Sequence, residues 1–178
     1  MSEQLDLFAE PEKNKLDSEN IPKSSNNDRI LYFDLETQKS ADDVGGWGNI
    51  HDMKLAVGVV WDSVDQKHFS YLESEASRLV DKLRMADLVV GFNVKKFDYT
   101  VLQPYADFDL SEIVTFDMLD DIKCKLNHRL SLNHLAVNTL NAKKSADGLV
   151  SLQWYKEGKI DKIIEYCKQD VDITRDLF

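Results

Sequence analysis

The sequence predicts an α/β domain, a mixed sheet of about five strands flanked by helices. Apolar, β-favouring runs of strand length stand at residues 30–36, 56–61, 67–71 and 87–93. Helix-length amphipathic segments separate or follow them, most clearly over residues 160–178. The 56–61 and 67–71 runs lie close enough to form an antiparallel meander.

Taken in order, residues 1–28 hold Ser18, Asn20, Pro22, Ser24, Ser25, Asn26 and Asn27 with scattered charge and almost no apolar periodicity. That composition predicts a disordered leader, with the folded domain spanning 29–178. In the first strand side chains alternate, so Asp34 and Glu36 project to one face and Leu35 to the other. Gly45-Gly46-Trp47-Gly48 predicts a mobile loop beside them. For Trp47, stacking on a base and packing within the loop are equally open. A helix over 76–85 leads into the buried 87–93 strand, which ends at Asn93. The next helix runs from about Phe97 to Leu102 and stops near Pro104. Asp98 falls in its first turn, where either simple capping or a ligand role suits a negative charge. Asp117 precedes a helix starting near Met118, as its cap or as a support for metal ligands. Residues 130–140 and 149–157 complete a helical layer.

In the last helix Ile160, Ile163, Ile164, Cys167, Val171, Thr174 and Phe178 form an apolar stripe. Tyr166 and Asp170 are four apart and share a face, ordinarily an exposed pair. Asp170, Asp172 and Asp176 put negative charge in the helix's C-terminal half, against its dipole. A bound cation would offset that cost at Asp170, while Asp172 and Asp176 read as solvated.

Asp34, Glu36, Asp98 and Asp170 supply four carboxylates, the oxygen ligands that hard divalent ions favour, and Tyr166 adds a hydroxyl beside Asp170. The set resembles the DEDD superfamily of 3′–5′ exonucleases in the ribonuclease H-like fold. Asp34-x-Glu36 is similar to its first motif, Asn93-x-x-x-Phe97-Asp98 to its second and Tyr166-x-x-x-Asp170 to its third. Tyrosine at 166 marks the DEDDy branch, since the histidine branch would place His at position 165, occupied here by Glu165. Phe116-Asp117-Met118-Leu119 and Leu130-Ser131-Leu132-Asn133-His134-Leu135 resemble segments of family B DNA polymerase proofreading domains and stand-alone bacterial relatives. The resemblance covers about residues 28–178. It implies two Mg2+ or Mn2+ ions: Asp34, Glu36 and Asp170 on one, Asp98 on the other, and Asp34 bridging. It also implies that Tyr166 orients the attacking water and that Thr37 and Asn93 contact the terminal nucleotide. Phe97 reads as a substrate-side aromatic, or as a core or hinge residue.

Within the leader, Gln4-Leu5-Asp6-Leu7-Phe8 resembles the linear motif that docks bacterial replication and repair proteins on the DNA sliding clamp. The competing reading is a segment that folds back on the domain. The net charge of −10 argues against broad duplex binding, yet residues 84–168 hold twelve basic and twelve acidic residues, leaving that stretch neutral before metals are added. Lys95–Lys96, Lys123–Lys125–Arg129 and Lys143–Lys144 serve either a single-strand path or ordinary solvation. No apolar run reaches membrane-spanning length, and no secretory signal stands at the N-terminus. Two cysteines, Cys124 and Cys167, without metal-ligand spacing point to a reducing cytoplasm. His51, His68, His128 and His134 form no zinc pattern and read as surface or satisfied core histidines. The expected activity is 3′–5′ cleavage of DNA, ahead of RNA cleavage on the same fold or a non-catalytic recruiting module. The chain ends eight residues past Asp170, inside the last helix, so a C-terminal continuation is also open.

Overall fold

The structure, a computed structural model, describes residues 28–142 and 148–178. The Gln4–Phe8 motif and Lys143–Lys144 lie outside the described residues. Strand β1 (Ile30–Thr37) is the centre of a five-stranded mixed sheet. On one side it pairs antiparallel with β2 (Leu55–Asp62), which pairs antiparallel with β3 (Lys67–Leu72). On the other it pairs parallel with β4 (Leu88–Gly91), which pairs parallel with β5 (Thr115–Asp117).

The α/β expectation therefore holds, and the hairpin is in the predicted place. The fifth strand was not located in the sequence. Three residues are too few to show a two-residue period, and β5 exists because β4 offers it a paired edge.

Alternation along β1 sorts its side chains between two layers. Leu31, Phe33 and Leu35 face α1 (Ala76–Arg84) and α2 (Asp98–Leu102), packing with Leu79, Leu83, Val101 and Leu102. Tyr32 packs in the opposite layer with Val57, Val59 and Val90, under the long helix that closes the sheet. Three helices precede that one: α3 (Met118–Leu126), α4 (Leu132–Leu140) and α5 (Leu149–Lys156). The closing helix, α6 (Ile160–Leu177), buries Ile163, Cys167, Val171 and Thr174, the centre of the stripe its 3.6-residue period predicts. Each fully buried aliphatic of this kind stabilises the fold by about 1.5–3 kcal/mol relative to exposure.

Two glycines carry the turns that aim these elements. Gly158 adopts φ +71° just after α5, and its N–H and that of Lys159 bond back to Tyr155 and Trp154, ending the helix so that α6 can start. Gly91 closes β4 where any Cβ would stand 2.2 Å from a Val94 methyl carbon and 3.0 Å from the Phe33 carbonyl oxygen.

Two expectations are refined and a third is corrected. The Gly45–Gly48 segment, expected as a loop, joins two 3-10 turns, Asp42–Val44 and Trp47–Asp52. Tyr166 and Asp170 are buried, in place of the exposed pair that such spacing ordinarily gives, because α6 lies flat on the sheet and the edge of its stripe meets β1. Asp172 is not merely solvated: it hydrogen-bonds His68 of β3 at 3.0 Å and pairs with Arg175 at 2.8 Å.

Candidate active site

The two periods that build the fold also gather the carboxylates. Asp34 and Glu36 share the face of β1 that α6 covers, and Tyr166 and Asp170 each precede a buried stripe residue, Cys167 and Val171. Asp34, Glu36 and Asp170 consequently bring ligand oxygens within 4.8 Å of one another. The cluster lies toward the carboxyl end of β1, beside β4. In open α/β sheets, ligands bind beyond strand carboxyl ends where neighbouring connections diverge.

Asp98 arrives from the other layer. After β4 the chain turns at Asn93, which takes φ +66°, a conformation asparagine tolerates. That turn is held by Asp117. Its carboxylate accepts the N–H groups of Asn93 at 2.8 Å, Lys95 at 3.0 Å and Leu119 at 3.0 Å. It thus caps α3, as expected, and also fixes the loop that leads into Asp98. Asp98 stands outside the 4.8 Å triad among the described residues. It nevertheless lines the same cavity of about 530 Å3 as Asp34 and Glu36.

Thr37, Asn93 and Phe97 line that cavity as well. The Thr37 hydroxyl donates to the Lys39 carbonyl at 2.9 Å, so its exposed partner role is shared with a backbone bond. Trp47, 71% exposed, forms part of the wall and sits 6.4 Å from the Phe97 ring centre to centre. Tyr166 does not line this cavity. It opens on a neighbouring groove with Trp154, Lys162 and Gln169, while its hydroxyl hydrogen-bonds Asp170. Lys95 and Lys96 are exposed, and Lys96 and Lys125 lie near Asp120 and Asp121.

Two contacts were not foreseen. Ser151 of α5 donates to Glu36 Oε2 at 2.5 Å, and the thiol of Cys167 lies 3.3 Å from both Asp34 Oδ2 and the Asp34 carbonyl oxygen. A serine inside an apolar helix was the available signal for the first. Cys167 was read only as part of the stripe.

Among the described residues no lysine or arginine pairs with Asp34, Glu36, Asp98 or Asp170. Burial, then the charges of Asp98, Asp170 and Glu36, hold the Asp34 carboxyl well above its ordinary range. Burial likewise pushes Glu36 to about 8 and Asp98 to about 8, and Asp170 to about 6. Tyr166 is raised above its usual value by burial and by the carboxylates around it. Asp98 Oδ1 and Asp170 Oδ1 are buried without any hydrogen-bond partner, and orphans of this kind need an explanation. A donor set made wholly of carboxylate oxygens, mutually repelling and partly unsatisfied, suits a hard divalent cation. The residues fit such an ion.

The fold and this cluster suit a metal-dependent enzyme, and comparison with known proteins shows the class, a phosphodiester hydrolase, and names the family. A sequence profile described as 3′–5′ exonuclease matches residues 13–178, and the chain belongs to that family. Among solved structures, it is similar to the family B DNA polymerase from the hyperthermophilic archaeon Pyrobaculum calidifontis. That likeness has a TM-score of 0.63 and 16% identity, covering 83% of this chain and 24% of the polymerase. The chain therefore spans about a quarter of that polymerase's length. No curated protein sequence matches it. Among the described residues, no helix is long and apolar enough to cross a membrane.

Proposed function

We propose that the chain is a metal-dependent 3′–5′ exonuclease that removes nucleotides from unpaired DNA ends. The observation that carries this reading is the half-buried carboxylate cluster, which has no compensating cation among the described residues, with two buried carboxylate oxygens, on Asp98 and Asp170, that lack a partner there. Asp34, Glu36 and Asp170 would hold one Mg2+ or Mn2+ ion, and Asp98 a second, with Asp34 shared. Bound divalent ions supply charge neutralisation for the phosphate and an acidified water at neutral pH.

The protein's own groups do the rest. Tyr166, kept protonated by its raised pKa, offers a hydroxyl that orients the attacking water and does not serve as its base. Asp170 fixes that hydroxyl through their mutual hydrogen bond. Asn93, Thr37 and Phe97 form the wall against the terminal nucleotide, in a cavity within the size range of small-molecule sites. Asp117 positions Asn93 by holding its backbone. Lys95 and Lys96, exposed just after Asn93, would supply positive charge to a single strand leaving the cavity.

In this proposal residues 29–178 are the nuclease, and residues 1–28 form a flexible tether that brings it to DNA through Gln4, Leu5, Asp6, Leu7 and Phe8 on the bacterial sliding clamp, within a reducing cytoplasm. The support for the tether is the sequence alone: two apolar anchors and a glutamine in a polar stretch.

The test is digestion of end-labelled single-stranded DNA and RNA of one sequence with Mg2+ or Mn2+. The expected product is a ladder shortening from the 3′ end, faster on DNA. Equal or faster loss of RNA would reassign the substrate, and no metal-dependent shortening of either would remove the proposal. On primed DNA loaded with clamp, replacing Leu7 and Phe8 by alanine should slow digestion while leaving free oligonucleotides unaffected. Equal rates with and without that change would make residues 1–28 a plain tail.

A further inference from the structure

Glu36 is held by a residue the family motifs do not include. Ser151 lies in the first turn of α5 and is 1% exposed, so no solvent competes for its hydroxyl. Its oxygen stands 2.5 Å from Glu36 Oε2 and 2.7 Å from the Gly148 carbonyl oxygen. The partners are 115 positions apart, so the bond is a polar link between the start of α5 and β1. Gly148, Leu149 and Leu152 of that same turn line the cavity together with Glu36.

We infer that Ser151 is a positioning residue: its hydroxyl fixes the Glu36 carboxylate in the orientation that ligates a divalent ion. This rests on the proposed metal-dependent reading of the cluster. A glutamate on a strand can rotate about three side-chain bonds, and unlike Asp34 and Asp170 it has the reach to swing out of a shared ligand position. A donor that is itself buried, the one buried side chain of α5, removes that freedom before the ion arrives. Hydrogen-bond partners behind metal ligands typically account for 10–100-fold in affinity or activity.

The test is Mn2+ affinity of the full chain, read by the loss of the free-ion electron paramagnetic resonance signal, for the wild type, Ser151→Ala, Glu36→Gln and the double variant. Ser151→Ala is expected to weaken Mn2+ binding by about 10–100-fold, with the KM for a single-stranded oligonucleotide unchanged. In the Glu36→Gln background the same serine change should have little further effect, because the ligand it orients is already impaired. Ser151→Cys, a near isostere with a weaker donor, should fall between serine and alanine and serves if the alanine variant does not fold. Wild-type affinity in Ser151→Ala overturns the inference, as does a full loss that persists in the Glu36→Gln background. Absence of Mn2+ binding by the wild type would instead defeat the proposed function itself.

Discussion

Two buried acidic sites share this sheet and differ in one respect. At the far end of β2, Asp62 is completely buried but compensated: Lys82 reaches it at 2.5 Å, Arg29 also contacts it, and the N–H groups of Val64 and Asp65 donate at 2.8 and 3.2 Å. Burial alone would raise its pKa, yet Lys82 and the two amides hold it below the ordinary carboxylate range. Around Asp34 desolvation acts with no paired cation among the described residues, and every carboxyl is pushed up. One site is ion-paired, whereas the other, in the proposed reading, would be compensated by a bound metal ion. Perturbed carboxylates lacking partners, inside a cleft, mark function more often than ion-paired ones do.

Substitution separates the two sites most sharply. Asp34→Ala or Asp170→Ala should reduce exonuclease activity to the detection limit while stability holds or rises, since each removes repulsion. Asp62→Asn should leave the cleavage chemistry intact but destabilise the fold by about 1–3 kcal/mol, because Lys82 then keeps only Asp65, 3.5 Å away and more exposed, as a counter-charge. Chemical denaturation beside the labelled-strand assay reads both quantities. A stabilising Asp62→Asn, or a fully active Asp34→Ala, would collapse the distinction.

Tyr166→Phe comes next. It deletes one hydroxyl without changing the packing against Trp154, 6.2 Å away ring to ring. The rate should fall on the order of 10²-fold, the lower range for losing a group that positions a proton-transferring water. Mn2+ affinity should move little. Full activity in the Phe variant would remove the role assigned to Tyr166.

The smallest effect is the dependence of stability on pH, where the two sites have opposite signs. Glu36 and Asp98 at about 8 and Asp170 at about 6 bind protons in the folded chain that the unfolded chain has already released. Their contribution therefore decreases as pH rises from the ordinary carboxylate range toward 8. Asp62, with its lowered pKa, contributes above the ordinary range and loses that contribution only as pH falls through its folded value. With EDTA present, Tm should decline between about pH 5 and 8, and saturating Mn2+ should cancel the decline. A flat or rising Tm in EDTA would contradict the raised carboxyl groups.

Legibility in the sequence followed the length and regularity of each element. β1 and α6 are long and periodic, so Asp34, Glu36, Tyr166 and Asp170 could be placed on correct faces from spacing alone. Burial of the Tyr166–Asp170 pair could not, because it depends on how α6 meets β1 and not on the helix itself. β5 was missed for its three residues. Asp117 was legible as a cap, which is a local signal, but not as the clamp on Asn93, a bond across 24 positions. Ser151 and Cys167 reach Glu36 and Asp34 over 115 and 133 positions, and no local pattern encodes such pairings.

The span between β1 and α6 also sets a timetable. The chain is made from its N-terminus, so Asp34 and Glu36 are available long before Asp170 exists to complete the triad. Contacts this distant in sequence close late and slowly. A partly made or unzipped chain holds two strand carboxylates without the third. If the proposed centre is the cutting site, hydrolytic competence arrives only with the docking of α6, and a chain that lacks it is silent.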